Sequence, residues 1–260
     1  MTAGVVPISY TQLAIASLLL LAAIIISLKL ELGQAKNILI SSIRTVIQLS
    51  ALGFVLEFIF EVQTWWLILL IVIFMLVSAT QIATNRVKNH ASGIRLSIFI
   101  SLAISSMIVA LLVITLVVKA DPWYSARQFI PIVSIVLGNA MSSTAVAIDR
   151  LFNDMKLKKD EMETIVALGG SPAEAATPSI KRAISAGMVP ILASMSAAGI
   201  VTIPGTMTGQ LLAGADPVAA SKYQIVIMFM LSAANAISVF LACYLSYKKS
   251  FSGFDYYLDK

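Results

Sequence analysis

Residues 161–190 read EMETIVALGGSPAEAATPSIKRAISAGMVP, a stretch of polar and mixed residues that interrupts a series of apolar segments. Gly169 and Gly170 tolerate the left-handed backbone that ends many helices, so the first part predicts a helix that ends there. Ser171 is a favoured N-cap, Pro172 suits the first helical position, and Glu174 has the spacing of a capping box. The stretch therefore predicts a glycine turn and a capped helix, which suit contact with another protein.

The composition of the chain is that of a membrane protein. Apolar residues make up 59% of the 260 positions and charged residues only 12%, against about 25% charged residues in soluble proteins. With the single cysteine Cys243 and the single histidine His90, an internal disulfide, a cysteine cluster and a multi-histidine metal site are not encoded. The net charge of +5 therefore bears on membrane orientation rather than on nucleic-acid binding.

Seven segments have the roughly 20 mostly apolar residues that are needed to cross a bilayer. They are residues 10–28, 38–58, 65–84, 94–118, 129–148, 183–203 and 223–247. We predict an all-α, polytopic transmembrane bundle of about seven spans. It forms one domain over residues 1–260 and lies in the cell (inner) membrane.

Positive charge predicts the orientation of the bundle, because lysine and arginine favour cytoplasmic loops. Of the 18 such residues, all but Lys119, Arg127 and Lys222 fall on one side. The N-terminus is then outside, the C-terminus is cytoplasmic, and residues 149–182 form a cytoplasmic segment. Aromatic residues that favour the membrane interface fall on the outer side: Trp65, Trp66, Trp123 and Tyr124.

The cytoplasmic segment has a helical pattern of its own. Six apolar residues over 151–168 are spaced to share one side of a helix: Leu151, Met155, Met162, Ile165, Val166 and Leu168. This helix is either a lever for a partner protein or a solvated loop helix with no partner. Beyond it, Pro178 and Pro190 predict kinks.

No segment matches the G-x-x-x-x-G-K-[ST] loop that binds phosphates, and none matches H-E-x-x-H, C-x-x-C or G-x-S-x-G. If the chain transports a solute uphill, the energy must come from an ion gradient or from a separate ATPase.

Polar residues within the spans are candidates for a transport pathway, because they are costly in hydrocarbon and usually face the interior of a bundle. Gln48 is the interior candidate in the second span, whereas Arg44 lies close enough to the cytoplasmic face to snorkel. Glu57 and Glu61 are spaced i, i+4 at the outer mouth, where they either attract a cation or are solvated rim charges. None of the 13 Asp and Glu residues falls in the middle of a predicted span, which weighs against a proton- or sodium-driven carrier.

The fifth span contains a stripe of small residues. Ser134, Gly138 and Ser142 recur every four positions, which predicts close helix packing, and Asn139 lies beside them as a packing or pathway residue. Residues 204–210, PGTMTGQ, predict a turn that lies against the outer end of the bundle. Four methionines could bind a soft ion such as Cu(I) or simply pack in the bundle: Met141, Met188, Met195 and Met207.

Several of these motifs resemble one family. They are RTVIQL at 44–49, GNAM at 138–141, LGGSP at 168–172, and PGTMTGQ at 204–210 with Tyr223 and Gln224. With these motifs the chain is similar, from about residue 10 to 250, to the FetB-type permeases of iron-export ABC transporters, a family that includes a plant aluminium-tolerance permease. The resemblance implies a permease that exports iron or a related metal ion and has no cofactor of its own, with ATP and Mg²⁺ bound by a separate cytoplasmic ATPase.

Residues 163–169 also resemble the E-A-A-x-x-x-G motif by which ABC importer permeases contact their ATPases. Glu163 and Gly169 have the separation of that motif, but Thr164 and Ile165 replace its alanines, and Pro190 falls later than its closing proline. The ATPase-coupling residues are then predicted to be Glu163, Gly169, Gly170, Ser171, Pro172 and Glu174. The predicted pathway residues are Gln48, Asn139, Met141, Met207 and Gln210.

We therefore expect a homodimer of permeases in the lipid bilayer that binds two copies of the ATPase, works by alternating access and binds no nucleic acid. The sequence leaves two alternatives open. One is a secondary transporter driven by an ion gradient, and the other is a membrane sensor or assembly protein that transports nothing.

Overall fold

The computed structural model describes residues 8–62, 64–87 and 93–251, so His90 lies outside the described residues. This part of the chain contains helices and no strand, which confirms the all-α prediction. The helices are α1 (Tyr10–Lys29), α2 (Ala35–Val62), α3 (Trp65–Arg86), α4 (Ile94–Leu112), α5 (Ala126–Leu157), α6 (Lys159–Ala167), α7 (Pro172–Ala197), α8 (Gly205–Leu212) and α9 (Pro217–Phe251). A π-helical turn, Val113–Val118, continues α4.

Six of the described helices are long and apolar enough to cross a membrane: α1, α2, α3, α4 with its π-helical turn, α5 and α9. The seventh long helix, α7, is not among these six, and it packs against both α5 and α9. It begins at Pro172 and ends at Ala197, so the predicted bounds of the sixth span, 183–203, are wrong. The helix ends early because Gly199 adopts a φ of +79° and its N–H donates to the carbonyl of Thr202 at 2.9 Å. Pro178 and Pro190 lie inside this one continuous helix.

The predicted lever helix over residues 151–168 is also wrong. α5 runs on from the fifth span as one helix of 32 residues to Leu157, so residues 149–157 belong to α5. The chain leaves helical geometry at Lys158, where φ is −108° and ψ is 22°, and α6 begins at the next residue. The predicted single helix is therefore two helices, α5 and α6. The change of direction between them lets Met162 of α6 pack into the bundle core.

Helices α3, α4, α5, α7 and α9 pack together and form the core of the bundle. We call one end of the bundle the basic end, where Arg86, Arg150 and Lys248 lie, and the other the tryptophan end, where Trp65 and Trp123 lie. Buried apolar side chains form one cluster toward each end. The basic-end cluster includes Leu102, Leu151 and Val239, and the tryptophan-end cluster includes Val72, Val136 and Leu231.

A polar layer separates the two clusters on α4 and α9. Ser105 and Ser106 lie between the clusters along α4, and Asn235 and Ser238 lie between them along α9. All four are at most 3% exposed. The three serines are small enough to let the two helices approach closely, as small residues do at helix contacts in membranes.

Helices α1 and α2 form a hairpin beside this core. They pack against each other, and α2 makes few contacts with α5. The contact lies near the tryptophan end, where Ile59 is buried and the Arg127 guanidinium is 5.7 Å from the centre of the Phe60 ring. The most apolar part of α2 buries no residue in the described chain.

Candidate functional site

The glycine turn predicted after α6 is confirmed. Gly169 adopts a φ of +92°, which an L side chain rarely adopts. The Gly170 N–H donates to the carbonyl of Ile165 at 2.9 Å and the Gly169 N–H to that of Val166 at 3.0 Å, which is the bond pattern of a Schellman motif. A Cβ built on Gly170 would lie 2.7 Å from Cγ2 and 2.8 Å from the carbonyl oxygen of Ile165. The turn therefore requires glycine at both positions.

The predicted capping box at the start of α7 is also present. The Ser171 hydroxyl accepts a hydrogen bond from the Glu174 N–H at 3.2 Å, and the Glu174 carboxylate accepts one from the Ser171 N–H at 2.7 Å. Pro172 occupies the first helical position. The backbone and side-chain hydrogen bonds from Ser171 hold the pKa of Glu174 below its ordinary value of 4.5. The carboxylate is therefore ionised at neutral pH and fixes the first turn of α7.

Two leucines at the ends of α6 are almost fully exposed. Leu157, just before α6, is 85% exposed, and Leu168, just after it, is 84% exposed. The prediction that Leu168 shares the apolar side of the helix is wrong, because it is the C-cap residue beside the left-handed Gly169 and leaves the helix path. The predicted coupling residue Glu163 lies between them on α6, with its carboxylate 3.7 Å from the Lys159 ammonium.

An ion pair that the sequence pattern does not predict connects α5 and α7. The Arg182 Nε donates to Asp154 Oδ2 at 2.7 Å, although the two residues are 28 positions apart. Asp154 is 7% exposed and also lies 3.8 Å from Nη2 of Arg150. The sequence gives one hint of this pair: Asp154 is an acidic residue on the same side of α5 as the apolar residues Leu151 and Met155.

One face of α5 is left open along much of its length. Ser134, Gly138 and Asn139 are exposed, and a Cβ built on Gly138 meets nothing within 4 Å. The close packing predicted for the small-residue stripe is therefore not made with another helix in the described chain. The Asn139 amide donates to the carbonyl of Ile135 in its own helix at 2.9 Å. We refer to this side of the helix as the open face of α5.

The open face leads to a cavity of about 370 Å³ at the tryptophan end, between α5, α8 and α9. Its polar lining includes Arg127, Gln128, Thr206, Gln210 and Tyr223. The residues 204–210, predicted as a turn against the bundle, form the short helix α8, which packs against α9. A hydrogen bond from the Thr206 hydroxyl to the Gln224 side chain helps to hold it there.

A second cavity of about 370 Å³ lies on the same side of α5 at the basic end. Its charged and amide lining consists of Arg86, Asp149, Arg150 and Asn153, with Ala186 of α7 closing one side. The Asn153 amide donates to the Asp149 carboxylate at 3.0 Å. Positions 127, 131, 138, 145, 149 and 153 share this side because they are spaced by about whole helical turns. The open face therefore joins one cavity to the other.

The structure brings some predicted pathway residues to this face and leaves others apart. Asn139 lies on the open face and Gln210 lines the tryptophan-end cavity. Met141 packs against the basic-end cluster, whereas Met207 lies on α8 at the opposite end. Gln48 is exposed on α2, away from these residues.

Metal-binding groups are dispersed in the described part of the chain. There, no three His, Cys, Asp or Glu residues lie close enough together to hold a metal ion. Glu57 and Glu61 are both exposed on α2 toward the tryptophan end. Met188 and Met195 pack against the tryptophan-end cluster, so their apolar packing accounts for them.

Six of the described helices are apolar enough to cross a membrane, a seventh packs among them, and the open face runs along α5. These features define an all-α, multi-pass integral membrane protein. The chain belongs to the Uncharacterised protein family UPF0014, which it matches over residues 10–251.

Several known proteins are similar to the chain over most of their length. The chain is 35% identical to the "Probable iron export permease protein FetB" of Escherichia coli, over 94% of this chain and 93% of that protein. It is 34% identical to the "Protein ALUMINUM SENSITIVE 3" of Arabidopsis thaliana, over 92% and 86% of the two chains. It is 33% identical to the "UPF0014 membrane protein YjkA" of Bacillus subtilis, over 94% and 96%. No solved structure matches the chain.

Proposed function

We propose that this protein is the permease subunit of an ABC transporter that exports iron or a related metal ion with the energy of a separate cytoplasmic ATPase. The name of the Escherichia coli relative supports the cargo and the direction. The main support for an ATPase partner is the exposed segment between α5 and α7. It combines a capped helix start, a fixed glycine turn and two solvent-exposed leucines at the basic end of the bundle.

The exposed segment suits an ATPase contact for a physical reason. Leu157 and Leu168 present apolar surface to solvent, which is the kind of side chain that gains free energy when a partner covers it. Glu163 and Glu174 lie on either side of the glycine turn and carry charge that can orient the partner. In this proposal Gly169, Gly170, Ser171 and Pro172 hold the contact in one shape.

The cargo would move along the open face of α5, which connects the two cavities. Asn139 and Gln210 offer amide oxygens on that path, and Asp149 is the carboxylate nearest its basic end. In alternating access, ATP-driven movement at the basic end would open one cavity while closing the other. Gln48, Met141 and Met207 would reach the path only through a rearrangement of α2, α5 or α8.

We further propose that the functional unit is a homodimer with two ATPase copies. The side chains of Arg44 and Gln48 on α2 are exposed and make no hydrogen bond or ion pair with another described residue. Arg44 is near enough to the basic end to reach water, but the Gln48 amide lies one turn deeper and is costly to leave unpartnered in hydrocarbon. A second copy that covers this side of α2 would remove that cost. Replacing Arg44 with Ala and Gln48 with Leu should shift the light-scattering mass of purified protein from dimer to monomer, whereas an unchanged mass would place the contact elsewhere.

The central test is reconstitution. The permease and an ABC ATPase from the same organism would be purified together and placed in proteoliposomes, and ATP hydrolysis and movement of Fe²⁺ would be measured. We expect Fe²⁺ to stimulate hydrolysis and to accumulate on the side opposite ATP. Leu157→Ser with Leu168→Ser should weaken ATPase binding without lowering the melting temperature of the permease.

Two outcomes would overturn the proposal in different ways. Transport that persists without the ATPase and collapses with the proton or sodium gradient would identify a secondary transporter. A stable ATPase complex with no stimulation by any metal ion would favour a sensor or assembly protein.

A further inference from the structure

The ion pair between Asp154 and Arg182 lies between the exposed segment and the basic-end cavity. Arg182 is ten residues into α7 from Pro172, which places it about 15 Å along the helix from the capped turn. Asp154 follows Asn153 directly and is one helical turn beyond Arg150, and both of these residues line the cavity. The pair therefore joins the helix that leaves the proposed ATPase contact to the helix that forms the cavity wall.

The surroundings of the pair make it a rigid connection. Leu151 and Met155 on α5 and Ala175, Ser179 and Ala183 on α7 are all at most 3% exposed. Arg182 also donates through Nη2 to the Ser179 hydroxyl at 3.5 Å, so its guanidinium is held by its own helix as well as by α5. The Asp154 side chain is 9% exposed and the Arg182 side chain 40% exposed, so the pair is a short charge-assisted hydrogen bond whose guanidinium side still meets solvent.

Other ion pairs in this segment do not connect helices across the bundle. Lys158 with Glu161, Lys159 with Glu163 and Arg150 with Asp154 each join residues three or four positions apart. Such local pairs move with their own part of the chain. The Asp154–Arg182 pair differs because it opposes any sliding of α7 along α5.

We propose that the Asp154–Arg182 pair transmits movement of the α6–α7 segment to α5 and thereby to the wall of the basic-end cavity. This inference rests on the proposed function, because it assigns the step that follows ATPase contact. Both residues are positioning residues: neither lines either of the two cavities described above, and each acts through the helix that carries it. When the pair is broken, the segment still meets the ATPase, but α5 no longer follows it.

The first test measures coupling in the reconstituted complex. The variants are Asp154→Asn, Arg182→Gln and the double variant, with Lys158→Gln as a control that removes an exposed ion pair from the same segment. We expect each single variant to keep ATP hydrolysis while Fe²⁺ transported per ATP falls about tenfold, a typical size for a coupling interaction. The double variant should lose no more than either single one, and Arg182→Lys should recover part of the ratio.

The second test needs no ATPase. Spin labels at Leu157→Cys on α5 and Thr177→Cys on α7, in a Cys243→Ala background, report the distance between the two helices in the full-length permease. We expect one narrow distance distribution for the parent chain and for Lys158→Gln. A broader distribution is expected for Asp154→Asn and for Arg182→Gln.

The two tests separate the possible failures. Unchanged distances in Asp154→Asn and Arg182→Gln would overturn the inference, and so would broadened distances with an unchanged transport ratio. Failure of the proposed function looks different: the parent permease then stimulates no ATPase, while the label distances still report whether the pair ties α7 to α5.

Discussion

At Gly170 the turn after α6 has no room for a side chain. A Cβ there would lie 2.8 Å from the carbonyl oxygen of Ile165, and a backbone atom cannot rotate away as a side chain can. We expect Gly170→Ala to distort the glycine turn, destabilise it by about 1–3 kcal/mol as overpacking does, and lower transport per ATP hydrolysed. The ratio would be measured in proteoliposomes, with Thr177→Ala as the control in the same exposed segment. A normal ratio in Gly170→Ala would place the ATPase contact elsewhere.

The Glu174 carboxylate makes the start of α7 sensitive to acid. Its pKa is lower in the folded chain than the ordinary 4.5, because it accepts hydrogen bonds from Ser171. The stabilisation is therefore complete above the ordinary pKa and is lost as the pH falls through the lower folded pKa. We expect hydrogen-exchange protection of the first turn of α7 to fall in that acidic range. Glu174→Gln, which can still accept the bonds but does not titrate, should remove the pH dependence; an identical acid response in both proteins would contradict this assignment.

Local residue patterns account for what the sequence predicts at this scale. Ser171, Pro172 and Glu174 act within four positions, and Gly169 and Gly170 act on the turn that contains them, so these features follow from the chain itself. The Asp154–Arg182 pair spans 28 positions and depends on how α5 and α7 pack. No local pattern specifies that packing. Leu168 shows the same limit, because its exposure follows from the direction the chain takes at Gly169.

At the scale of elements, α7 is held close to α5 and α9 by the absence of a side chain at Gly187. A Cβ there would lie 2.8 Å from the Ala147 Cβ and 3.0 Å from both the Ser143 carbonyl oxygen and the Val239 side chain. We expect Gly187→Ala to push the helices apart and to cost about 1–3 kcal/mol. Thermal unfolding of the purified protein would measure the loss.

Gly53 provides the matched control for that experiment. A Cβ built on it meets nothing within 4 Å, and it lies about half a turn round α2 from Arg44. Gly53→Ala should leave the melting temperature unchanged or raise it, because alanine favours a helix interior. Equal losses in the two variants would show that the destabilisation is not specific to the α5–α7–α9 contact.

The limits of the helices could be predicted where hydropathy decides them and not elsewhere. The predicted spans of α1 to α4 and α9 differ from the observed helices only at the ends. A long apolar run in lipid forms a helix, because its backbone groups must be satisfied within the segment. The extension of α5 to Leu157 and the end of α7 at Ala197 were missed. Both depend on core packing and on the turn at Gly199 rather than on hydropathy.

At the scale of the whole molecule, the distribution of positive charge predicts that the basic end faces the cytoplasm. Cys243 is fully buried, so single cysteines placed elsewhere can be labelled against little background. In intact cells, an impermeant maleimide should label Lys222→Cys but not Thr177→Cys, and after the cells are opened it should label both. Labelling of Thr177→Cys alone in intact cells would show that the orientation is reversed.

The modest apolarity of α7 has a consequence for how the protein is made. A helix of this composition gains little by entering lipid alone, and the small residues Ser179, Ala183 and Gly187 on its buried side pack within the bundle, where α7 contacts α5 and α9. Because α9 follows α7 during synthesis, we expect α7 to settle beside α5 only after the last helix has left the ribosome. A chain stopped after Ala215 with a reporter attached should keep that reporter in the cytoplasm, whereas the same reporter inserted there in the complete chain should reach the outside. The protein would thus reach seven spans only after α9 has been made and has packed against α7.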